Sequence, residues 1–269
     1  MELESELQIS SPDAHMQDAE LPTVESPKPV ALVTGAGSTI GRAVVAELLR
    51  GGYLVAGIDA RQTVSLNDDH LVMVGDVSEE SQSRLAVART LDRFGRLDSA
   101  VLIADIGGWQ PLSVMGTVAD AEHLLARNLS SIALGIQSAV EGLSIDGQRS
   151  IVATASVAGL LADPGNWAYH ASKIALIDLV RSSAVTYAAR GIRVNNVASG
   201  VIRTDGNDDN GTDPSFSRDF SRRIPLCRLA DAREIAAVIV FLLSPAASYV
   251  TGSALAVDGG LTASVRLTF

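Results

Sequence analysis

Short apolar runs rich in β-branched residues alternate with longer amphipathic stretches from Pro29 to the end of the chain. Continuously apolar runs separated by helix-length segments are typical of parallel strands that are covered on both faces. The pattern therefore predicts an α/β fold, a single-domain Rossmann-type doubly wound parallel sheet with helices on both faces. The predicted strands are residues 30–34, 54–59, 71–74, 100–104, 150–154, 193–197 and 254–257. Helical periodicity is clear at residues 41–50 and 231–243.

No change in composition interrupts this alternation, so residues 29–269 are predicted to form one domain. The first 28 residues differ, because seven acidic residues and one lysine give them −6 of the net charge of −10. With several prolines and few apolar residues, such a segment cannot offset its ordering entropy by burial. Residues 1–28 are therefore predicted to be an acidic disordered tail. They lack the basic start and apolar run of a secretory signal.

Charge and cysteine usage limit the classes of partner. A net charge of −10 disfavours nucleic acid and anionic membranes, since phosphate binding needs clustered cations. The longest apolar run, residues 235–243, is half of the ~18 residues that span a bilayer. Cys227 is the single cysteine, and the four histidines are dispersed, which argues against a disulfide or a metal site. We expect a soluble cytoplasmic protein whose partner is a small molecule.

A glycine-rich turn follows the first predicted strand, at residues 34–41. Gly35 and Gly37 allow a tight turn and a close approach of a pyrophosphate, and Gly41 lets the next helix pack against the strand. Ile40 stands where the strict GxGxxG pattern has its third glycine. The turn alone is also compatible with an ordinary strand-to-helix connection.

Asp59 ends the second predicted strand, where a carboxylate can accept hydrogen bonds from both ribose hydroxyls of an adenosine. It would repel the 2′-phosphate of NADP, and Ser38 supplies no compensating cation, so NAD is predicted rather than NADP. Asp59 could also simply begin a loop. Arg61 could reach a 2′-phosphate, pair with Asp59 or point to solvent. Asp76, after the third strand, is expected to cap the next helix, to hydrogen-bond an adenine amino group, or both.

Ser156, Tyr169 and Lys173 have a spacing that indicates chemistry. Tyr169 and Lys173 are four residues apart and share one helix face, where an ammonium favours the phenolate and lowers the phenol pKa from about 10. Such a tyrosine can serve as an acid or base near neutral pH. Ser156 follows the fifth predicted strand and can donate a hydrogen bond to a substrate carbonyl. The Tyr–Lys spacing alone would also fit a solvated helical pair.

Taken together, the motifs resemble the short-chain dehydrogenase/reductase family, in its single-domain form, over residues 29–269. The resemblance depends on an ordered set: TGAGSTIG at 34–41, Asp59, Asp76-Val77, Asn128, Ser156, YHASK at 169–173, Arg193-Val194-Asn195 and Val257-Asp258-Gly259-Gly260.

The resemblance implies roles for individual residues. Tyr169 would be the proton donor or acceptor, Lys173 would bond the nicotinamide ribose, and Ser156 would polarise the carbonyl. Asn128 would hold a water that relays protons to Lys173, and Thr204 would contact the nicotinamide carboxamide. The cofactor-binding residues would be Gly35, Gly37, Ser38, Thr39, Ile40, Gly41, Asp59, Asp76, Val77, Tyr169, Lys173, Ile202 and Thr204. Members commonly form dimers or tetramers through the helices that hold Asn128 and Tyr169, so a homo-oligomer is expected.

Three positions depart from the family pattern. Thr39 replaces a glycine of the phosphate turn, and Ser199 replaces a proline and is expected to loosen the following loop. Residues 102–105 stand where the family has Asn-Asn-Ala-Gly, so an amide linkage between strands is expected to be lost and Asp105 to lie near the nicotinamide pocket. His170 is interpreted as a packing or exposed residue and Cys227 as a small loop or core residue, while Trp167 either borders the substrate site or forms a core or oligomer contact.

The sequence therefore predicts an NAD-dependent oxidoreductase that interconverts a secondary alcohol and a ketone, with Tyr169 as acid and base. One alternative is an NADPH-dependent biosynthetic ketoreductase, against which Asp59 argues. Another is a catalytically silent dinucleotide-binding regulatory protein, suggested by Thr39 and Asp105. The intact set of Ser156, Tyr169 and its partners argues against that alternative.

Overall fold

A computed structural model of the protein describes residues 27–104, 118–162, 167–203 and 214–264. Within these residues seven strands form one parallel sheet in the order β3-β2-β1-β4-β5-β6-β7. This confirms the predicted doubly wound α/β architecture. The strands are β1 Val30–Thr34, β2 Leu54–Asp59, β3 His70–Val74, β4 Ser99–Leu102, β5 Ser150–Ser156, β6 Arg193–Ser199 and β7 Ala254–Val257.

Helices connect successive strands across the faces of the sheet, except between β2 and β3, which a loop joins. They are α1 Thr39–Arg50, α2 Glu80–Phe94, α3 Val118–Leu125, α4 Ser131–Gly142, α5 Trp167–Tyr187, α6 Pro214–Ser221 and α7 Ala232–Leu243. A π-helical turn, Ala126–Ser130, joins α3 to α4, and short 3₁₀ turns follow β5, α5 and α7. In the described part of the chain, no helix has the length and apolar character to cross a membrane.

Both faces of the sheet are buried along the central strands β1 and β4, which explains why these strands read as continuous apolar runs, whereas every residue of the edge strand β7 is partly or fully exposed. Leu32 of β1 packs into a cluster with α2, α4 and α5. Its neighbours Ala31 and Val33 face the opposite side and pack with α1 and α7. Successive side chains of a strand point to opposite faces, so each face needs its own apolar layer.

Three strands have the predicted bounds, and the others differ at one or both ends for local reasons. β3 begins one residue early, at His70, and β5 and β6 continue to paired residues Ser156 and Ser199. β4 ends at Leu102 instead of residue 104, because the Ile103 N–H donates to the Thr34 hydroxyl at 3.0 Å. At this point a hydrogen bond to a side chain replaces a backbone hydrogen bond between the strands.

The order of the strands creates a crevice at one edge of the sheet. The chain runs from β1 outward to β3, and then returns to β4 on the other side of β1. Ligands of doubly wound sheets bind where the order reverses, beyond the carboxyl ends of the strands. We refer to this side as the carboxyl edge and to the opposite side as the amino edge.

The expected tail lies outside the described residues up to position 26 and stays a prediction. Lys28, which was counted with it, donates to Asp69 at 2.8 Å beside the start of β3.

Candidate active site

The glycine-rich turn joins β1 to α1 at the carboxyl edge. Gly35 has a φ of +62°, and a Cβ there would lie 2.7 Å from the Ile103 carbonyl oxygen. A Cβ on Gly41 would overlap the Gly35 carbonyl. A side chain at either position would therefore separate the turn from β4 or from the first turn of α1.

Ser38 is the N-cap of α1, with extended backbone angles. Its hydroxyl accepts the Gly41 N–H at 3.0 Å and donates to the Gly35 carbonyl at 2.7 Å. Thr39 is the first residue of the helix, and Ile40 is buried. The positive end of the helix dipole thus faces the crevice, which suits a pyrophosphate.

Asp59, at the end of β2, faces this turn. Its Oδ2 accepts the Gly37 N–H at 2.9 Å, and its Oδ1 accepts the Arg61 N–H at 2.9 Å. The Arg61 guanidinium lies 3.6 Å away, so of the three predicted arrangements the structure has the pairing with Asp59. An ionised carboxylate has about four acceptor sites, and therefore retains capacity for a ribose diol. Turn and carboxylate together fit the adenosine diphosphate part of a dinucleotide.

Asp76 lies in the turn after β3. Its Oδ1 accepts from the Ser78 hydroxyl at 2.7 Å and the Ser78 N–H at 3.0 Å, and its Oδ2 accepts from Arg127 at 3.0 Å. Hydrogen bonds from Ser78, then the charge of Arg127, hold the pKa of Asp76 below its usual value. The N-cap of α2 is Glu79, so the expected helix-capping role is wrong: Asp76 closes the preceding turn. Next to it, Val77 packs against the core.

Tyr169 and Lys173 lie on the buried side of α5, as the spacing predicted. Tyr169 is 5% exposed and Lys173 is completely buried. The Lys173 ammonium lies 5.3 Å from the centre of the Tyr169 ring and donates to the Ala104 carbonyl at 3.0 Å. A buried cation beside a phenol stabilises its phenolate form.

Ser156 is the last residue of β5. Its Oγ accepts the Ala158 N–H at 3.2 Å, so the hydroxyl proton can be directed to a further acceptor. His170, interpreted from the sequence as a packing or surface residue, also contacts this segment. Its Nδ1 lies 2.8 Å from both the Ala158 and Leu161 carbonyls, and it attaches the chain after Ser156 to α5.

Asn128 lies in the π-helical turn and is completely buried. Its Nδ2 lies 3.4 Å from the Ser172 hydroxyl, which donates to the Tyr169 carbonyl at 2.7 Å. The structure thus brings Asn128 against the helix that carries Tyr169 and Lys173. π-helical turns of this kind often occur at functional sites.

The structure shows what surrounds two of the positions that depart from the family pattern, Leu102 and Ser199. Leu102 is buried against α4, where a Cβ on Gly135 would lie 2.9 Å from its side chain. The Thr34 hydroxyl accepts the Ile103 N–H and so links β1 to the end of β4, where the family pattern has an amide side chain. Ser199 continues β6 and pairs with Ser156. Asp105 and Thr204 lie outside the described residues.

Sequence reasoning missed several polar contacts of the site. The sequence assigns no role to Arg127, and it shows Ser172 only as part of the YHASK motif. Ile202, predicted to contact cofactor, forms a bridge with Ala230 near the carboxyl edge. Among the described residues, no three His, Cys, Asp or Glu side chains are grouped to hold a metal.

Proteins that are similar to this chain in sequence and in structure are named as reductases and dehydrogenases. A family model described as enoyl-(acyl carrier protein) reductase matches residues 35–262. Levodione reductase of Leifsonia aquatica is 34% identical over 259 residues, covering 90% of this chain and 97% of that protein. For 2-(R)-hydroxypropyl-CoM dehydrogenase of Xanthobacter autotrophicus the identity is 35%, covering 87% and 98%. The crystal structure of levodione reductase matches with a TM-score of 0.80 at 32% identity, covering 88% of this chain and 98% of that one.

A nucleotide crevice at the switch point of the sheet, with a buried tyrosine and lysine beside it, defines a dinucleotide-dependent oxidoreductase. Since the matches extend over almost the whole described domain, the chain belongs to the short-chain dehydrogenase/reductase family. It is an oxidoreductase of alcohols and ketones that acts on CH–OH groups of small molecules with a nicotinamide dinucleotide. The predicted family and enzyme class are confirmed.

Proposed function

We propose that this protein interconverts a secondary alcohol and a ketone with NAD(H), and that Tyr169 is the acid and base. The observation that carries the proposal is the buried Lys173 ammonium, 5.3 Å from the Tyr169 ring and at the edge reached by the glycine-rich turn. The bound nicotinamide supplies hydride transfer. The residues of the chain manage the proton and the charge on the substrate oxygen.

In alcohol oxidation, the Tyr169 phenolate accepts the hydroxyl proton of the substrate while hydride leaves its carbon. Lys173 stabilises the phenolate before that transfer, since it holds a positive charge beside the ring. Ser156 donates its hydroxyl proton as a hydrogen bond to the substrate oxygen, because its Oγ already accepts from Ala158. Asn128, buried against α5, holds the water through which the proton reaches solvent. Ketone reduction reverses each of these transfers.

The preference for NAD over NADP is part of the proposal. Asp59 supports it, since its carboxylate faces Gly37 at the adenosine end and would repel a 2′-phosphate. Arg61 is 56% exposed but remains near Asp59, so its charge is directed toward the carboxylate rather than toward a phosphate.

A homo-oligomer, either a dimer or a tetramer, is proposed from α5. Its buried side carries the proposed catalytic residues, and its outer side exposes Trp167, Ile174 and Val185 by 48%, 55% and 82%, with exposed Asp178 and Arg181 between the last two. Large apolar side chains on the outer side of a helix are expected to be covered by another surface. Sedimentation should show an assembly that Ile174→Arg weakens, and a strict monomer would contradict the proposal.

The activity is tested by incubating the purified protein with NAD⁺ and a panel of secondary alcohols. The panel begins with hydroxy compounds, because relatives are named 2-(R)-hydroxypropyl-CoM dehydrogenase and cis-4-hydroxycyclohexanecarboxylate dehydrogenase. Formation of NADH, followed by absorbance, is the expected result. NADH binding without turnover of any alcohol, and without reduction of the matching ketones, would favour the silent dinucleotide-binding alternative. Turnover with NADP⁺ alone would favour the NADPH-dependent ketoreductase.

A further inference from the structure

Arg127 is fixed through both its side chain and its main chain. It lies in the π-helical turn between α3 and α4, and its guanidinium donates to Asp76 at 3.0 Å across the crevice side of the fold. Its carbonyl accepts the Ser131 hydroxyl at 2.5 Å. The two side chains of the ion pair are only 32% and 36% exposed. This geometry is more constrained than that of an ordinary surface pair.

The carboxylate that holds Arg127 is itself anchored at the adenosine end of the site. Both hydrogen bonds from Ser78 go to the other oxygen of Asp76. In the same turn, the Gly75 N–H donates to the Asp59 carbonyl at 3.0 Å. Arg127 therefore reaches a turn that is tied to the residue expected to bind the adenosine ribose.

The residue after Arg127 belongs to the opposite end of the site. Asn128 is completely buried and contacts Ser172 on α5, one residue before Lys173. A π-helical turn interrupts the regular i→i−4 hydrogen bonds of the helices on either side. The orientation of the π-helical turn therefore depends more on side-chain contacts than the orientation of a regular helix does.

We propose that Arg127 is a positioning residue for Asn128, and that its ion pair with Asp76 links the adenosine end of the crevice to the proton-transfer end. The catalytic part of this inference rests on the proposed function of Asn128. Arg127 touches neither substrate nor reacting atoms and acts through the order of the π-helical turn. Removing the pair should loosen this turn without displacing Tyr169 or Lys173, which α5 holds.

A control is present in the same fold. Arg84 of α2 pairs with Glu141 of α4 at 2.7 Å, with side chains 52% and 60% exposed, and also with Glu80 of its own helix at 3.0 Å. The Arg84–Glu141 pair also joins a neighbouring element to the helix that follows the π turn, but it lies far along that helix from Asn128. Arg84→Gln therefore removes an ion pair between helices, together with a pair within α2, without a predicted effect on the turn.

The first experiment needs no turnover. Amide hydrogen exchange is measured in the cofactor-free full-length protein, on peptides that cover residues 124–132. Arg127→Gln should raise exchange there about three- to tenfold, as expected for loss of a partly buried pair, whereas Arg84→Gln should not. Arg127→Lys, which keeps the charge, should give an exchange rate between that of the native protein and that of Arg127→Gln. Asp76→Asn should have the effect of Arg127→Gln, and the double variant should exchange no faster than either single variant.

The second experiment measures the catalytic consequence. Arg127→Gln should lower kcat about tenfold, because a small misplacement of a positioned group is costly, while KM for NAD⁺ changes less. The solvent deuterium isotope effect on kcat should rise, since proton transfer becomes more limiting. In an Asn128→Ala background, Arg127→Gln should have no additional effect.

Each failure has a different meaning. If the native protein oxidises no alcohol, the proposed function fails, and hydrogen exchange alone still decides whether Arg127 orders the turn. Unchanged exchange in Arg127→Gln, or an equal change in Arg84→Gln, overturns the proposal. So do an unchanged kcat and isotope effect in an active enzyme, or a loss of activity that persists undiminished in the Asn128→Ala background.

Discussion

Polar side chains at the amino edge of the sheet bond mainly to the protein itself, whereas those at the carboxyl edge keep capacity for a ligand. At the amino edge, Asp98 accepts the Val30 N–H at 2.8 Å and binds Arg96 through both oxygens. At the carboxyl edge, Asp59 accepts two N–H groups and retains further acceptor sites. An aspartate carboxylate therefore stabilises the fold at the amino edge, and at the carboxyl edge it remains available to a ligand.

The comparison also divides the family motifs by role. Arg193, the first residue of β6, donates to the carbonyls of residues 242, 243 and 244, where α7 ends, and to that of Val250, just before β7. Asn195 donates to the Val250 carbonyl and accepts the Ser253 N–H, which holds the connection to β7. These contacts give the Arg193-Val194-Asn195 motif a structural role, whereas Ser156, Tyr169 and Lys173 are the residues proposed for the chemistry.

The largest effect is expected for Tyr169→Phe at the carboxyl edge. Loss of the phenolic proton carrier should lower kcat by about a thousandfold or more, while the melting temperature and NADH affinity remain nearly unchanged. Initial rates, fluorescence titration with NADH and thermal unfolding check the three parts. Retained turnover would refute the role of Tyr169, and a large loss of stability would place it with the structural residues of the amino edge.

A matched pair of substitutions then separates the two edges directly. Arg193→Met leaves four carbonyls without their charged donor, which should cost about 3 kcal/mol and lower the melting temperature by about 6 to 12 °C. Lys173→Met should damage turnover and cofactor affinity but lower the melting temperature much less, since it removes a completely buried charge. Equal losses of stability in the two variants would contradict the assignment of Arg193 to stability and of Lys173 to function.

Asp59→Ala should have a smaller effect, confined to the choice of cofactor. Repulsion of a 2′-phosphate plus lost ribose hydrogen bonds should be worth a few kcal/mol, which corresponds to roughly a hundredfold preference for NAD. The comparison of kcat/KM with NAD⁺ and NADP⁺ should show this preference in the native protein and its relaxation in the variant. Asp59→Asn, which keeps an acceptor for Gly37, separates the charge from support of the turn. Equal efficiencies in the native protein would contradict the assignment.

The fold could be predicted because its signal is periodic, and the candidate catalytic residues stand out in the sequence because they form an ordered motif. Apolar runs define strands whatever their partners are, which is why β1, β2 and β7 have their predicted bounds, although β7 has no buried residue. The end of β4 was wrong since Ile103 and Ala104 are also apolar, and only the Thr34 hydroxyl ends the ladder there. The Arg127–Asp76 pair joins residues that are 51 positions apart, and a contact of this kind produces no periodic pattern that a single sequence could reveal.

His70 is an exception at the amino edge, because part of its side chain is buried without a partner. Its Nδ1 lies 3.3 Å from the Leu66 N–H and accepts from it, which places the proton of the neutral ring on the buried Nε2. No hydrogen-bond partner lies near Nε2 within the described structure. Burial lowers the pKa of His70 from its ordinary value of 6.5.

The smallest predicted effect follows from this histidine. A lowered folded-state pKa means that the unfolded chain binds more protons below about pH 6.5, so the stability that His70 contributes is present above that pH and is lost as the pH falls. His70→Asn keeps an acceptor for the Leu66 N–H but cannot titrate. The melting temperature of this variant should therefore decline less between pH 7 and pH 5 than that of the native protein, by a few degrees. His123→Asn, at an exposed position of α3, provides the control for replacement of a histidine by asparagine elsewhere in the fold. Parallel slopes for the native protein and His70→Asn would show that burial of this ring does not oppose its protonation.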